Sequence, residues 1–171
     1  SLAEEMIRHY SRMYKLRASS LRIFSAFGSG LRRQLFWDVM KKYAIARHNN
    51  DSKIILSGSG EESRDFIHAA DVSTAALLVS QHDSASEYNI LNVGNGAEVK
   101  ICEAVRLLLK TAPIPFTVSF SGQSRPGDPH NWQADTRKLR ALTYMPKIEL
   151  ESGLSEYFKW FANLPPQNEI H

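Results

Sequence analysis

The sequence predicts an α/β fold with crossover connections, and three observations lead there. Short runs rich in Ile, Val and Phe alternate with longer amphipathic helical patterns, the order expected when helices cover a parallel sheet. Glycine turns at Gly28–Gly30, Gly58–Gly60 and Gly94–Gly96 break the chain after strand patterns, where glycine takes left-handed angles at no steric cost. At 171 residues, 43% hydrophobic and 23% charged, the chain is long enough to bury a core and has a globular composition.

The elements follow in order. Leu2 to Leu16 reads as a helix with Met6, Tyr10, Met13 and Tyr14 at i, i+4, i+7 and i+8; Glu4 and Glu5 lie in its first turn, and no N-cap precedes it. Ser19–Phe24 is a strand. Leu31–Arg47 is an amphipathic helix with Leu35, Phe36, Val39, Met40 and Tyr43 on one face. Strands at Lys53–Ser57 and Arg64–His68 flank the second glycine turn, and Asp71 caps a helix over Val72–Gln81. Tyr88–Val93 is a strand and Ile101–Lys110 a helix facing inward through Ile101, Val105, Leu108 and Leu109. After Pro113 and Pro115, Phe116–Phe120 alternates as a strand, and Ser121–Trp132 is a loop. A short helix with Leu139 and Leu142 inward follows Asp135 and Thr136. A last helix over Leu150–Ala162 buries Leu154, Tyr157, Phe158 and Phe161.

Composition bounds function. No apolar run is long enough to span a bilayer, and the opening Ser-Leu-Ala-Glu-Glu has no signal-peptide pattern, so the expectation is a cytoplasmic chain without a membrane partner. The single cysteine, Cys102, excludes an internal disulfide framework and reads as a small core residue. A net charge of +3, spread along the chain, accommodates anionic ligands and gives no basic stripe for nucleic acid. No zinc spacing, P-loop or complete dinucleotide fingerprint is present, since none of the three Gly-x-Gly turns has the third glycine.

The stretch from Gly58 to Val72 carries the chemistry. Arg64 follows the glycine turn where ordered chain resumes, and a planar charged fork held there suits a phosphate or carboxylate. The plainer alternative is an ion pair of Arg64 with Asp65 beside a turn.

Five stretches together resemble one family. Leu21-Arg-Ile-Phe-Ser-Ala-Phe-Gly28, then Gly58-x-Gly60 with Arg64-Asp-Phe-Ile-His68 and Asp71-Val72, are similar to motifs of the extended short-chain dehydrogenases. So are Tyr88-Asn-Ile-Leu-Asn-Val-Gly-Asn-Gly96, Arg125-Pro-Gly-Asp128 with Ala134-Asp135, and Leu150 through Trp160. The branch resembled is that of the NAD-dependent nucleotide-sugar epimerases and dehydratases. The departures are Ser25 for the usual asparagine and Phe27-Gly-Ser-Gly30 for the usual Tyr-Gly-Pro-Gly. The family's Gly-rich cofactor motif and Tyr-x-x-x-Lys pair are not in this sequence.

The resemblance implies a C-terminal portion, residues 1–171, of a Rossmann-type enzyme: the last sheet strands and the small mixed α/β substrate-binding domain. It implies a nucleoside-diphosphate sugar as ligand, with Arg64 and Arg125 on the diphosphate, Asp128 orienting Arg125 or accepting a hydroxyl, Gln34 and Leu35 at the phosphates and base, and Trp132 near the sugar. Phe24 and Ser25 would face the nicotinamide of NAD or NADP, a cofactor that belongs to the parent enzyme and is not expected to stay on this chain alone. No catalytic or metal-ligating residue is expected within it. The chain alone would then be inactive, and the other reading is a non-catalytic ligand-binding relative. Dimerisation through the Leu2–Leu16 helix, or association through exposed edges, is also implied. Plainer alternatives stay open: Arg125 bracing its loop, Asp128 as a turn residue, Trp132 and Leu35 as core, and His68 as a structural hydrogen-bond partner.

Overall fold

The computed structural model describes residues 1–82, 87–123, 127 and 129–165. Helix α1 (Leu2–Tyr14) is followed by β1 (Ala18–Ile23), β2 (Ser25–Phe27) and helix α2 (Gln34–His48). Then come β3 (Lys53–Leu56), β4 (Ser63–Arg64), β5 (Phe66–His68), helix α3 (Ala69–Gln81), β6 (Tyr88–Val93) and β7 (Val99–Lys100). Helix α4 (Ile101–Leu109), β8 (Thr117–Phe120), the single turn α5 (Arg137–Arg140) and helix α6 (Leu150–Ala162) complete the order.

The strands pair as β1 with β6, β2 with β5 and β3 with β8, all parallel, and β4 with β7 antiparallel. Each parallel pair is joined through helical crossovers, as the sequence pattern requires. Register follows the apolar residues: Leu21 lies opposite Leu91, Ile23 opposite Val93, and Ile54 opposite Val118. One apolar cluster packs α2, α4 and α6 over β2 and β3, with Val39, Met40, Val105, Leu108 and Leu154 wholly buried. A smaller one, around Ile67, Ala75, Val93 and Leu139, joins α3 and α5 to β5 and β6.

Several expectations are corrected. Helix α1 does have an N-cap: Ser1 accepts from the Glu4 N–H through its side chain, and Glu4 reaches back in a capping box. Glu4 also takes a bidentate pair from Arg22 at 2.6 and 2.8 Å, which with the amino terminus holds its carboxyl down at about 2. The expected strand Arg64–His68 is two strands, because the backbone turns inward at Asp65. Helix α3 starts at Ala69, with His68 as its cap: Nδ1 accepts from the Ala70 N–H at 3.3 Å. That bond puts the ring proton on Nε2, which is buried without a partner among the described residues, so His68 is only half satisfied. Asp71, expected as the cap, lies inside α3 and accepts the N–H groups of Lys147 and Ile148 at 3.0 and 2.9 Å, tying the approach to α6 onto α3. Cys102 is half-buried rather than core. Met6, Tyr10, Met13 and Tyr14 are each more than half exposed, so α1 turns Ser11, not its aromatic face, towards β1 and β6. The short strands β2 and β7 lack the length for a periodic signal and were not foreseen.

The central tie is Asp65. Fully buried, its carboxylate accepts from the backbone N–H of Asn95 (2.6 Å), Gly96 (2.9 Å) and Ala134 (3.0 Å). It therefore fastens the turn after β6 and the segment leading to α5 to the β4–β5 junction. Gly94 is needed for that approach, since a Cβ there would lie 2.6 Å from the Ala134 Cβ and 2.9 Å from Asp65 Oδ2. Asp65→Ala strands three backbone donors, and we expect a loss of about 3–5 kcal/mol in urea unfolding, with Asp65→Asn intermediate. Wild-type stability in Asp65→Ala would show that the junction is held by other contacts.

Candidate functional site

A cleft of about 870 Å³ opens between β2, the start of α2, the end of β3 and the segment around Trp132. It brings together six of the eight residues singled out in the sequence: Phe24, Ser25, Gln34, Leu35, Arg64 and Trp132. Arg125 and Asp128 lie outside the described residues, so the pairing of Arg64 with Arg125 has no geometry here.

The first wall is the end of the sheet. Phe24 and Ser25 continue from β1 into β2, held by Phe24 N–H to Val93 O (2.9 Å) and Ser25 N–H to Asp65 O (3.0 Å). Phe24 packs on Trp132 with ring centroids 5.3 Å apart. Trp132 remains 42% exposed, which excludes the core reading and leaves a ring face on the cleft.

The second wall is α2. Gln34 has φ +65°, the left-handed region that costs a non-glycine residue energy, so the chain enters the helix through a sharp backbone reversal. The helix is shorter at its start than the expected Leu31–Arg47 for that reason. Arg33, at the cap position, makes no side-chain capping bond, and the first turn contains no acidic residue. Its N–H groups and the positive end of its dipole therefore meet the cleft without a side-chain cap, an arrangement that favours an anion, although Asp38 one turn on also lines the cleft. The preceding segment is anchored from below by Tyr157, whose buried hydroxyl donates to Leu31 O at 2.7 Å; burial pushes that phenol well above its usual range.

The third wall is the glycine turn. Glu62 accepts from the N–H groups of Ser59 and Gly60, both at 2.9 Å. The first of these bonds is the main cause of a carboxyl held below its ordinary 4.5. A Cβ on Gly60, at φ +82°, would lie 2.7 Å from the Phe120 ring, so only glycine allows β8 to close against the turn. The turn also caps α4: Ile101 N–H reaches Glu62 O at 2.8 Å and Cys102 N–H reaches Gly60 O at 2.9 Å.

Arg64 is placed differently from the simple ion pair. Asp65 is turned away into backbone donors, while Arg64 Nη1 donates to the carbonyls of Ser63 (2.7 Å) and Pro129 (2.8 Å). Ser63 adds its N–H to His130 O at 2.9 Å and its hydroxyl to Glu98 at 2.6 Å and Asn131 at 3.3 Å. The triplet Ser63-Arg64-Asp65 thus holds the whole 129–134 segment, which carries Trp132. Arg64 braces the loop through one nitrogen, and no described residue accepts from its Nε or Nη2. The bracing role was not legible in the sequence, because its acceptors are main-chain carbonyls of a remote loop.

Sequence reasoning also passed over Arg32, Arg33 and Lys41, which line the same cleft. Arg32 and Arg33 directly precede Gln34, a signal that was available. No group of His, Cys, Asp and Glu able to hold a metal is found among the described residues. Phe24 and Ser25 could form a wall against a nicotinamide, but no glycine-rich strand-to-helix cradle for the cofactor's pyrophosphate accompanies them.

With this geometry in view, comparison with known proteins decides the family. The model of the NAD dependent epimerase/dehydratase family matches residues 1–94. The chain belongs to that family. Its relatives include a putative GDP-L-fucose synthase 2 of Arabidopsis thaliana, 30% identical over 123 residues, covering 72% of this chain and 37% of that protein. A putative UDP-glucose 4-epimerase of Methanocaldococcus jannaschii is 26% identical over 167 residues, covering 95% of this chain and 51% of that one. Among solved structures, the UDP-N-acetylglucosamine 4-epimerase from Methanobrevibacter ruminantium M1, in complex with UDP-N-acetylmuramic acid, superposes with TM-score 0.74 at 26% identity over 93% of this chain and 50% of that one. A UDP-glucuronic acid 4-epimerase from Bacillus cereus shares the fold, with TM-score 0.80 at 21% identity over 93% of this chain and 49% of that one. The chain spans about half the length, or less, of these family members. The α/β architecture of this chain therefore matches about half of the Rossmann-type fold of these family members. No helix among the described residues is long and apolar enough to cross a membrane.

The turn at Gly58–Gly60 should be acid-sensitive. Because the folded Glu62 carboxyl lies below 4.5, the stability it contributes is complete above that pH and is lost as pH falls through the folded value. Thermal midpoints measured from about pH 6 to pH 3 should fall more steeply for wild type than for Glu62→Gln, with equal slopes counting against this account.

Proposed function

We propose that residues 1–171 form the C-terminal, nucleotide-sugar-binding portion of an NAD(P)-dependent epimerase or dehydratase. The observation that carries this is the single cleft in which Arg64, Gln34, Leu35 and Trp132 converge beside the Phe24–Ser25 wall. A nucleoside-diphosphate sugar presents one dianionic diphosphate between two ring systems. The cleft offers a guanidinium and an uncapped helix start for the first, and an aromatic face for a ring. Arg125 and Asp128 are assigned to the same ligand, Arg125 on the diphosphate with Arg64.

In the proposed enzyme the nicotinamide supplies transient hydride chemistry at the sugar when the cofactor is bound. The role of this chain is to grip and orient. Arg64 and Gln34 fix the diphosphate, Trp132 and Leu35 exclude water along the ligand, and the backbone at Phe24 and Ser25 sets how closely a sugar ring can approach the wall. The Tyr-x-x-x-Lys pair that takes the hydroxyl proton is not among these residues, so the chain alone should bind without turnover. The exposed Met6, Tyr10, Met13 and Tyr14 on α1 support a contact with a second copy.

A thermal-shift screen against UDP-, dTDP-, GDP- and CDP-sugars tests the reading. A ligand at about 100 times its Kd should stabilise the chain by about 2.7 kcal/mol. Gln34→Asn, which shortens the side chain yet tolerates the left-handed backbone, and Arg64→Ala should each weaken that shift. Binding unchanged in both variants would remove the diphosphate assignment, and no shift with any nucleotide sugar would overturn the proposal.

A further inference from the structure

The start of α2 is held from a helix that does not line the cleft. Between β2 and α2 the chain runs from Gly28 to Arg33 without helix or strand, and it must deliver Gln34 at φ +65°. A non-glycine residue stays in that region only where the backbone on both sides of it is fixed. Beyond Gln34 the buried face of α2 does this. Before it, the Leu31 N–H donates to Gly28 O at 3.2 Å, which closes a turn within the segment but ties it to nothing else. The ties outward go to α6. The Tyr157 hydroxyl donates to Leu31 O at 2.7 Å, and the Ser29 hydroxyl donates to Glu156 Oε1 at 3.0 Å.

The two ties are unequal. Ser29 and Glu156 are exposed, so water competes for their bond, whereas Tyr157 is 1% exposed. Its support is rigid. Gly153 lies one turn earlier on the same face of α6, and a Cβ there would come within 2.8 Å of the Phe27 ring and 3.0 Å of His68 Cδ2. Helix α6 is therefore seated directly on the ends of β2 and β5. The Tyr157 ring packs between Phe36 of α2 and Trp160 of α6, with centroids 6.3 and 5.3 Å away, which directs its hydroxyl at Leu31. Gln34 follows Leu31 by three residues, so the position of that carbonyl sets the approach of the chain to the cleft.

We infer that Tyr157 is a positioning residue for the ligand. By holding the Leu31 carbonyl it sets where Gln34 and the first-turn N–H groups of α2 meet a diphosphate, although its own side chain does not line the cleft. This rests on the nucleotide-sugar reading above. Hydrogen bonds weaken steeply as donor and acceptor fall out of line, so a loosened approach to α2 costs affinity without removing any group from the cleft.

Calorimetric titration with UDP-glucose, dTDP-glucose, GDP-mannose and CDP-glucose tests the inference in a double-mutant cycle. Tyr157→Phe keeps the ring and its packing and deletes only the hydroxyl, and circular dichroism checks that the variant is folded. It should weaken the binding seen in wild type by about fivefold or more. In a Gln34→Asn background the same change should cost less than about twofold, because the group it positions is already altered. In an Arg64→Ala background the full factor should persist, since Arg64 is held by Ser63 and Pro129 and shares no partner with Tyr157. Affinity of Tyr157→Phe within about twofold of wild type, an undiminished loss in Gln34→Asn, or a loss that shrinks equally in Arg64→Ala overturns the inference and leaves the nucleotide-sugar reading intact. Failure of wild type to bind any of the four overturns that reading and the inference with it.

Discussion

The buried carboxylate of Asp65 is the constraint on which the site depends. A charge taken out of water persists only where donors replace the lost hydration, and here three backbone N–H groups from two distant segments do so. Satisfying one side chain therefore fixes the turn after β6 and the segment before α5 relative to the β4–β5 junction. The neighbours on either side extend the same join: Ser63 and Arg64 hold Pro129, His130 and Asn131. Trp132 reaches the cleft because this polar seam, rather than apolar packing, carries its backbone there.

The other wall is set by a different force. Helix α2 is buried through Phe36, Val39, Met40 and Tyr43 against α4, α6 and β3. That packing fixes its axis and leaves its start to meet the cleft with an uncapped turn and Gln34 in the left-handed region. Apolar burial can hold such a backbone because the helix beyond it is over-determined by contacts. The cleft thus lies between a seam held by hydrogen bonds and a helix held by the hydrophobic core, with the glycine turn closing the end.

Arg64 shows how a residue that braces a loop can also be the one proposed to meet a ligand. Its Nη1 is committed to loop carbonyls, which immobilises the guanidinium plane and presets the direction of the remaining donors. A side chain ordered before the ligand arrives loses less entropy on binding it. Substitution of Arg64 consequently moves the 129–134 segment as well as the charge, whereas Gln34 has no such partner loop among the described residues.

The sequence by itself determined the α/β class, the boundaries of β6 and α6, and the buried faces of α2 and α6, because hydrophobic periodicity is a local property of the chain. It also singled out six residues that share one cleft, through motifs read in order rather than through any pattern of contact. Only the tertiary structure decided what Asp65, Asp71 and His68 do. A polar side chain next to a turn has the same local signature whether it caps its own helix, as His68 does, or ties down backbone about seventy residues away, as Asp65 and Asp71 do. Long-range hydrogen bonds to main-chain groups leave no periodic trace, and the gathering of Arg32, Arg33, Lys41 and Arg64 along one cleft becomes visible only in the tertiary structure.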